Sequence, residues 1–306
     1  MEPVVFGSDN PSAEHGLVVR AGLGALTLIY QAMVQQPPNV ELARAAHRLS
    51  APLGEAPGEI DVRHLEFANR RSEWFSGPET DDSRRMLYLH GGGYIMGGDL
   101  DAHRAMIAWI AQESRCSVLA IDYRMGPEHR HPAALEDALA ACELLSRQSP
   151  DNGQPAHRLF VGGDSAGGGL ALGVTYSLRD SERRVPDALF LIGPMTRMPV
   201  GALAKDAVNE METAVAEQYV RAADALDPTV SPLYGDAASL PPVLLQVGED
   251  FDTPWAREFA RKAESDGVDL TFQQWRHMGH VWHMAAPFLP EAREAIVEIG
   301  RFLGRF

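Results

Sequence analysis

Only two cysteines occur in 306 residues, too few for a disulfide framework. Cys116 opens an apolar strand pattern, CSVLAIDY, and Cys142 sits in a helical one, ALEDALAACELL. Both read as small buried residues, so a reducing cytoplasmic setting is the expectation. Positive charge is scarce as well. Lys and Arg number 27 against 42 Asp and Glu, a formal net charge of −15, which argues against a nucleic-acid or anionic-membrane surface. Long apolar runs are also missing. The most apolar early stretch, AGLGALTLIYQAMV at 21–34, is too short to span a bilayer. Glu2, Asp9 and Glu14 precede it, unlike the basic start of a secretion signal. It reads as a helix burying one face. Internal repeats and low-complexity linkers are absent.

What is present is an ordinary globular composition, 45% hydrophobic and 23% charged, enough for a sizeable core. Residues 1–16 are polar and turn-rich, and only partial order is expected there. Helical patterns follow at 18–36 and 40–50. Pro37-Pro38 ends the first, and Asn39 is placed to cap the second. From about residue 58 short β-rich runs alternate with amphipathic ones. The strand candidates are EIDVRHLEF, RRMLYLH, SVLAIDY, RLFVGG, DALFLIG, PVLLQVG and LTFQQW. Helical candidates lie at 101–114, 133–148, 166–178, 254–266 and 289–304. Continuously apolar strands alternating with helices predict an α/β architecture with a mostly parallel, doubly wound sheet. Residues 196–235 break this rhythm as a long, mostly helical excursion. The expected organisation is a catalytic domain over 56–195 and 236–306, with cap segments at 1–55 and 196–235.

Two glycine-rich motifs carry chemistry. Gly163-Asp164-Ser165-Ala166-Gly167 is a G-x-S-x-G between a strand pattern and a helix pattern. A nucleophilic serine on so sharp a turn needs small residues two before and two after it. The helix N-terminus also aims N–H groups at developing negative charge. A phosphate-cradling loop would want a Lys-Ser/Thr pair after the glycines, and none is there. Upstream, a strand ends in His90-Gly91-Gly92-Gly93, a loop able to turn its N–H groups inward as an oxyanion hole requires.

In combination, HGGG at 90–93, DYRMGPEHRHPAALEDAL at 122–139, GDSAGG at 163–168 and SPLYGDAASLPPVLLQVG at 231–248 resemble the hormone-sensitive-lipase-like branch of the α/β-hydrolases. The resemblance runs from about residue 60 to the C-terminus. It implies the α/β-hydrolase fold with a helical cap built partly from the N-terminus, and hydrolysis of carboxylic esters. It also implies an oxyanion hole from the N–H groups of Gly92, Gly93 and Ala166. His90 then braces the loop, and Tyr123, Arg124 and Glu128 stabilise the fold nearby.

A serine hydroxyl needs a base, and in this superfamily the chain order is Ser, acid, His. His277, His280 and His283 follow Ser165, all in WRHMGHVWHM. No thiolate or adjacent carboxylate completes a metal site with them, so no metal and no cofactor is expected. The resemblance places the base before an apolar-aromatic pair, here His280 before Val281-Trp282, with His283 second. It places the acid about thirty residues earlier, which selects Asp250 within LLQVGEDFDTPW. Asp252 and Thr253 precede Pro254 and suit a helix start, and Glu249 is left to solvent or a nearby Arg. Where the family often carries a second acid, four positions on, this chain has Pro254, so Asp252 stays open as the alternative.

The expected chemistry is a two-step acyl transfer on a small or medium hydrophobic acyl ester. A lactone or a substituted amide would use the same machinery. Substrate-contact candidates are Tyr30, Met33, Tyr94, Met195, Met198 and Met211, and methionines at such places equally suit cap core. A ligand receptor on a hydrolase scaffold would typically lack the nucleophile or the base, and both are present. A homodimer through an edge strand or the final helix is compatible with the pattern, which carries no specific signal for one.

Overall fold

The computed structural model describes residues 2–7, 12, 15–49, 56–67, 69–98, 100–151, 153–207, 209–250 and 253–306, with the backbone alone for 17–23. Its centre is a nine-stranded sheet ordered β1-β9-β8-β7-β6-β4-β5-β3-β2. The strands are β1 (Val4–Phe6), β2 (Asp61–Phe67), β3 (Arg70–Ser76), β4 (Asp81–Leu89) and β5 (Cys116–Ile121), then β6 (Arg158–Asp164), β7 (Ala188–Ile192), β8 (Val243–Val247) and β9 (Leu270–Trp275). From β1 to β5 in that order every neighbouring pair is parallel. The β2–β3 and β3–β5 pairs are antiparallel, so β3 runs against the other strands.

Helices cover both faces. On one side lie α4 (Ala133–Arg147), α5 (Ala166–Asp180) and α7 (Thr253–Ser265), on the other α3 (Arg104–Ser114) and α8 (Pro290–Leu303). Strand β4 shows why both faces must be apolar. Leu87 and Leu89 point into the first core, and Met86 and Tyr88 into the second, as the two-residue period of a strand requires. Each such burial contributes about 1.5–3 kcal/mol. Cys116 and Cys142 are buried and unbridged.

Two strands escape the sequence reading. β1 is a three-residue segment in the polar N-terminus. It adds to the edge of β9 by backbone pairing, and Phe6 stacks on Trp275 at 4.7 Å. β3 reads RRSEWFS, and its Glu73 is fully buried. Arg104 and Arg71 donate to that carboxylate at 2.6 and 2.8 Å, so ion pairing hides a strand face that polarity would place outside.

The N-terminal helices α1 (His15–Val34) and α2 (Val40–Leu49) pack on each other. The segment 196–235 contains one ten-residue α-helix, α6 (Glu210–Tyr219), which touches α1. The rest of it is loop and 3-10 turn, at 201–206, 222–224 and 232–234, so it is less helical than the sequence suggests. Arg44 of α2 binds Glu128 at 2.7 Å and the carbonyl oxygens of Ile95 and Gly126 at 2.8 and 2.9 Å. That contact fastens the N-terminal helices to the loops beside β4 and β5. Among the described residues, no helix is long and apolar enough to cross a membrane.

Asn39 does cap α2, its Oδ1 accepting the Leu42 N–H at 3.0 Å. Asn39→Ala is therefore expected to lower the urea unfolding free energy by about 1 kcal/mol.

Candidate active site

Between residues 159 and 176 every residue is buried except Ser165. It stands at the turn from β6 into α5 with φ 51 and ψ −119, a left-handed conformation that a side chain rarely adopts. The turn is held from below. A Cβ added at Gly167 would lie 1.9 Å from the Leu89 carbonyl oxygen, and one at Gly163 would lie 2.3 Å from it. Nothing larger than glycine fits either place, so the serine is pushed up to the C-terminal edge of the sheet.

The loop after β4 comes to the same edge. Gly92 and Gly93 have φ +110 and +62. Among the described residues no oxygen accepts from the N–H of Gly92, Gly93 or Ala166, the last being the first residue of α5. Beneath them is the buried carboxylate of Asp164. Its Oδ1 accepts the Gly91 N–H at 3.0 Å and the Tyr88 hydroxyl at 2.7 Å, and its Oδ2 lies 3.3 Å from His103 Nε2. Burial pushes this carboxyl up, but His103 and Tyr88 outweigh burial and hold it down at about 2. His90 lies flat on Tyr123 at 4.2 Å, and the Tyr123 hydroxyl donates to the His90 carbonyl at 2.7 Å. Burial lowers His90 to about 3, which keeps its ring neutral.

His280 approaches from the loop after β9. A Cβ added at Gly193 would sit 3.2 Å from its Cε1 and Nδ1, so the ring rests against the Gly193 backbone. The preceding residue, Ile192, accepts the Ser165 N–H at 2.8 Å, and Met195 donates its N–H to the Ser165 carbonyl at 2.9 Å. His280 and Ser165 thus meet at one short loop. His280 Nδ1 is 3.5 Å from Asp250 Oδ2, longer than a formed charged hydrogen bond. Asp250 Oδ1 accepts the Thr253 N–H at 3.1 Å, so Asp250 also holds the start of α7. Asp252 lies outside the described residues. Glu249 accepts the His277 N–H at 3.1 Å.

His283 points elsewhere. It is buried, 2.9 Å from Gln246 Oε1, and burial lowers it to about 3. Among the described residues no three His, Cys, Asp or Glu side chains gather as a metal site would require.

The family model for the alpha/beta hydrolase fold matches residues 86–284. An acetyl-hydrolase of Streptomyces hygroscopicus is 36% identical over 260 residues, 82% of this chain and 84% of its own. An esterase from the bacterial hormone-sensitive lipase family superposes with a TM-score of 0.81 at 32% identity, covering 96% of this chain and 98% of that one. The chain belongs to the hormone-sensitive-lipase-like carboxylesterases of the α/β-hydrolase superfamily. The esterase EstE5, from a crystal soaked with p-nitrophenyl butyrate, gives 0.78 at 33% identity, covering 95% and 98%.

Within this carboxylesterase-family chain the six substrate-contact candidates separate. Tyr94 directly follows Gly93, and Met195 donates its N–H to the Ser165 carbonyl. Tyr94 is buried, stacked on Tyr219 of α6 at 4.4 Å. Met211 is partly buried against the core that holds Leu87 and Leu89. Met33 and Met198 have no exposed surface, and Tyr30 is 41% exposed at the outside. The sequence reading missed Val215 of α6. It packs on the glycine loop, where a Cβ at Gly93 would lie 2.5 Å from its Cγ1, and no local pattern marks it. It also missed the tie from Asp164 to Gly91, although Asp164 sits beside the serine in the motif itself.

Three buried imidazoles make stability pH-dependent. Burial lowers His47 to about 4 and His90 and His283 to about 3, from an ordinary 6.5. The unfolded chain therefore binds their protons first, and stability present above about pH 6.5 is lost as pH falls. Asp164, held at about 2, adds a further loss below about pH 4. The urea midpoint is expected to be flat above about pH 7 and to fall steadily towards about pH 4. A midpoint constant across that range would contradict the neutral, buried rings.

Proposed function

We propose that this chain is a serine carboxylic-ester hydrolase acting on small to medium hydrophobic acyl esters through Ser165, His280 and Asp250. The observation that carries this reading is the convergence at one loop. Ser165 and Met195 are joined by a backbone hydrogen bond, while His280 rests on Gly193 and faces Asp250.

In this mechanism Ser165 Oγ attacks the ester carbonyl carbon as His280 Nε2 takes its proton. The carbonyl π electrons move onto oxygen, where the N–H groups of Gly92, Gly93 and Ala166 stabilise them, each donor being worth about 3 kcal/mol. Asp250 holds the Nδ1–H tautomer of His280. When the tetrahedral adduct collapses, the alkoxide leaves with the proton from His280. Water, deprotonated by the same ring, then cleaves the acyl-enzyme and regenerates the Ser165 hydroxyl. In this reading α1, α2 and residues 196–235 form the cap, and Val215, Tyr94, Met195 and Met211 give the acyl side its apolar character. The Streptomyces relative's designation as an acetyl-hydrolase and the p-nitrophenyl butyrate soaked into EstE5 support short acyl groups.

Turnover of p-nitrophenyl acetate and butyrate tests the assignment. Ser165→Ala and His280→Ala are each expected to lower kcat by about three orders of magnitude or more. Asp250→Asn is expected to fall by at least about a hundredfold, and by more than Asp252→Asn. Near-parent rates for Ser165→Ala or His280→Ala would refute the mechanism. A larger loss for Asp252→Asn would move the acid.

A further inference from the structure

Thr253 opens α7 with only 8% of its surface exposed. Its N–H donates to Asp250 Oδ1 at 3.1 Å. Its hydroxyl oxygen accepts the Asp250 N–H at 3.1 Å and lies 3.1 Å from both Asp250 Oδ1 and the Gly248 carbonyl. The Thr253 N–H and hydroxyl both meet Oδ1 of the carboxylate, whereas Oδ2 is the oxygen that faces His280. A carboxylate swings readily about its last torsion. Donors fixed on one oxygen set the direction of the other.

The first turn of α7 is itself tied to the loop beneath the base. The Arg197 guanidinium lies 3.6 Å above the Trp255 ring, and it donates to the Asp206 carbonyl at 2.7 Å. Arg197 follows Gly193, the residue against His280, by four positions. Acid and base therefore share one frame.

We propose that Thr253 is a positioning residue for the Asp250–His280 pair, aiming Asp250 Oδ2 at the imidazole by engaging Oδ1 and the turn backbone. This rests on the serine-hydrolase reading given above. Glu249, Arg257 and Arg261 are the other charged groups lining this cleft among the described residues, and a change at Thr253 leaves their charges in place.

The test compares the parent, Thr253→Val and Thr253→Ser for kcat, KM and the pH profile of kcat/KM on p-nitrophenyl acetate. Thr253→Val is expected to lose on the order of 10- to 100-fold in kcat with KM unchanged. Its acidic limb should move to lower pH, because a misaimed carboxylate no longer favours the charged imidazole. Thr253→Ser keeps the hydroxyl and should restore both. A folded Thr253→Val with parent-like kcat and an unmoved limb overturns the proposal. So does a loss that serine fails to restore or that leaves the limb in place, since general damage would do that. If Thr253→Val does not fold, Thr253→Ala is judged by the same criteria. A parent without Ser165-dependent turnover overturns the hydrolase reading, and this inference with it.

Discussion

The carboxylate of Asp164 is the contact on which the rest of the site depends. It precedes Ser165 on β6 and accepts the N–H of Gly91 from the loop after β4. One buried anion thus sets the height of the glycine loop relative to the serine. Its other partners, Tyr88 and His103, keep it charged where burial alone would neutralise it. The close approach of Gly163 and Gly167 to the Leu89 carbonyl joins the same two strands from below. Strands β4 and β6 are sheet neighbours, so the elbow and the loop meet with no long-range adjustment.

From this fixed floor the remaining parts enter by separate routes. His280 arrives after β9 and Asp250 after β8, both at the C-terminal edge, as open α/β sheets favour for their sites. The upper side is built differently. Val215 and Tyr219 of α6 reach Gly93 and Tyr94, and α6 leans on α1. Changes in α6 therefore bear directly on the glycine loop, and changes in α1 bear on it through α6.

Much of this was legible in the residues, and for a physical reason. The elbow and the glycine loop depend on local constraints, φ sign and side-chain size, which short motifs record. The choice of His280 and Asp250 leaned on resemblance, because the thirty residues between them carry no local mark of their meeting. What was illegible depends on distant partners. Glu73 is buried only because Arg104 and Arg71 reach it, so β3 did not look like a strand. Val4–Phe6 becomes β1 only by pairing with β9. The 196–235 segment read as mostly helical because it breaks the strand rhythm, yet outside α6 its helical turns are short 3-10 ones. Asp250 meets Thr253 through Oδ1 and faces His280 through Oδ2, a division that one letter in the sequence does not record.

The central claim is that Ser165 is activated by His280, and covalent labelling tests it without any choice of substrate. An organophosphate should form one adduct on the parent, located at Ser165 by peptide mass analysis, and His280→Ala should label far more slowly. An adduct that forms elsewhere, or at an equal rate without His280, would contradict the account.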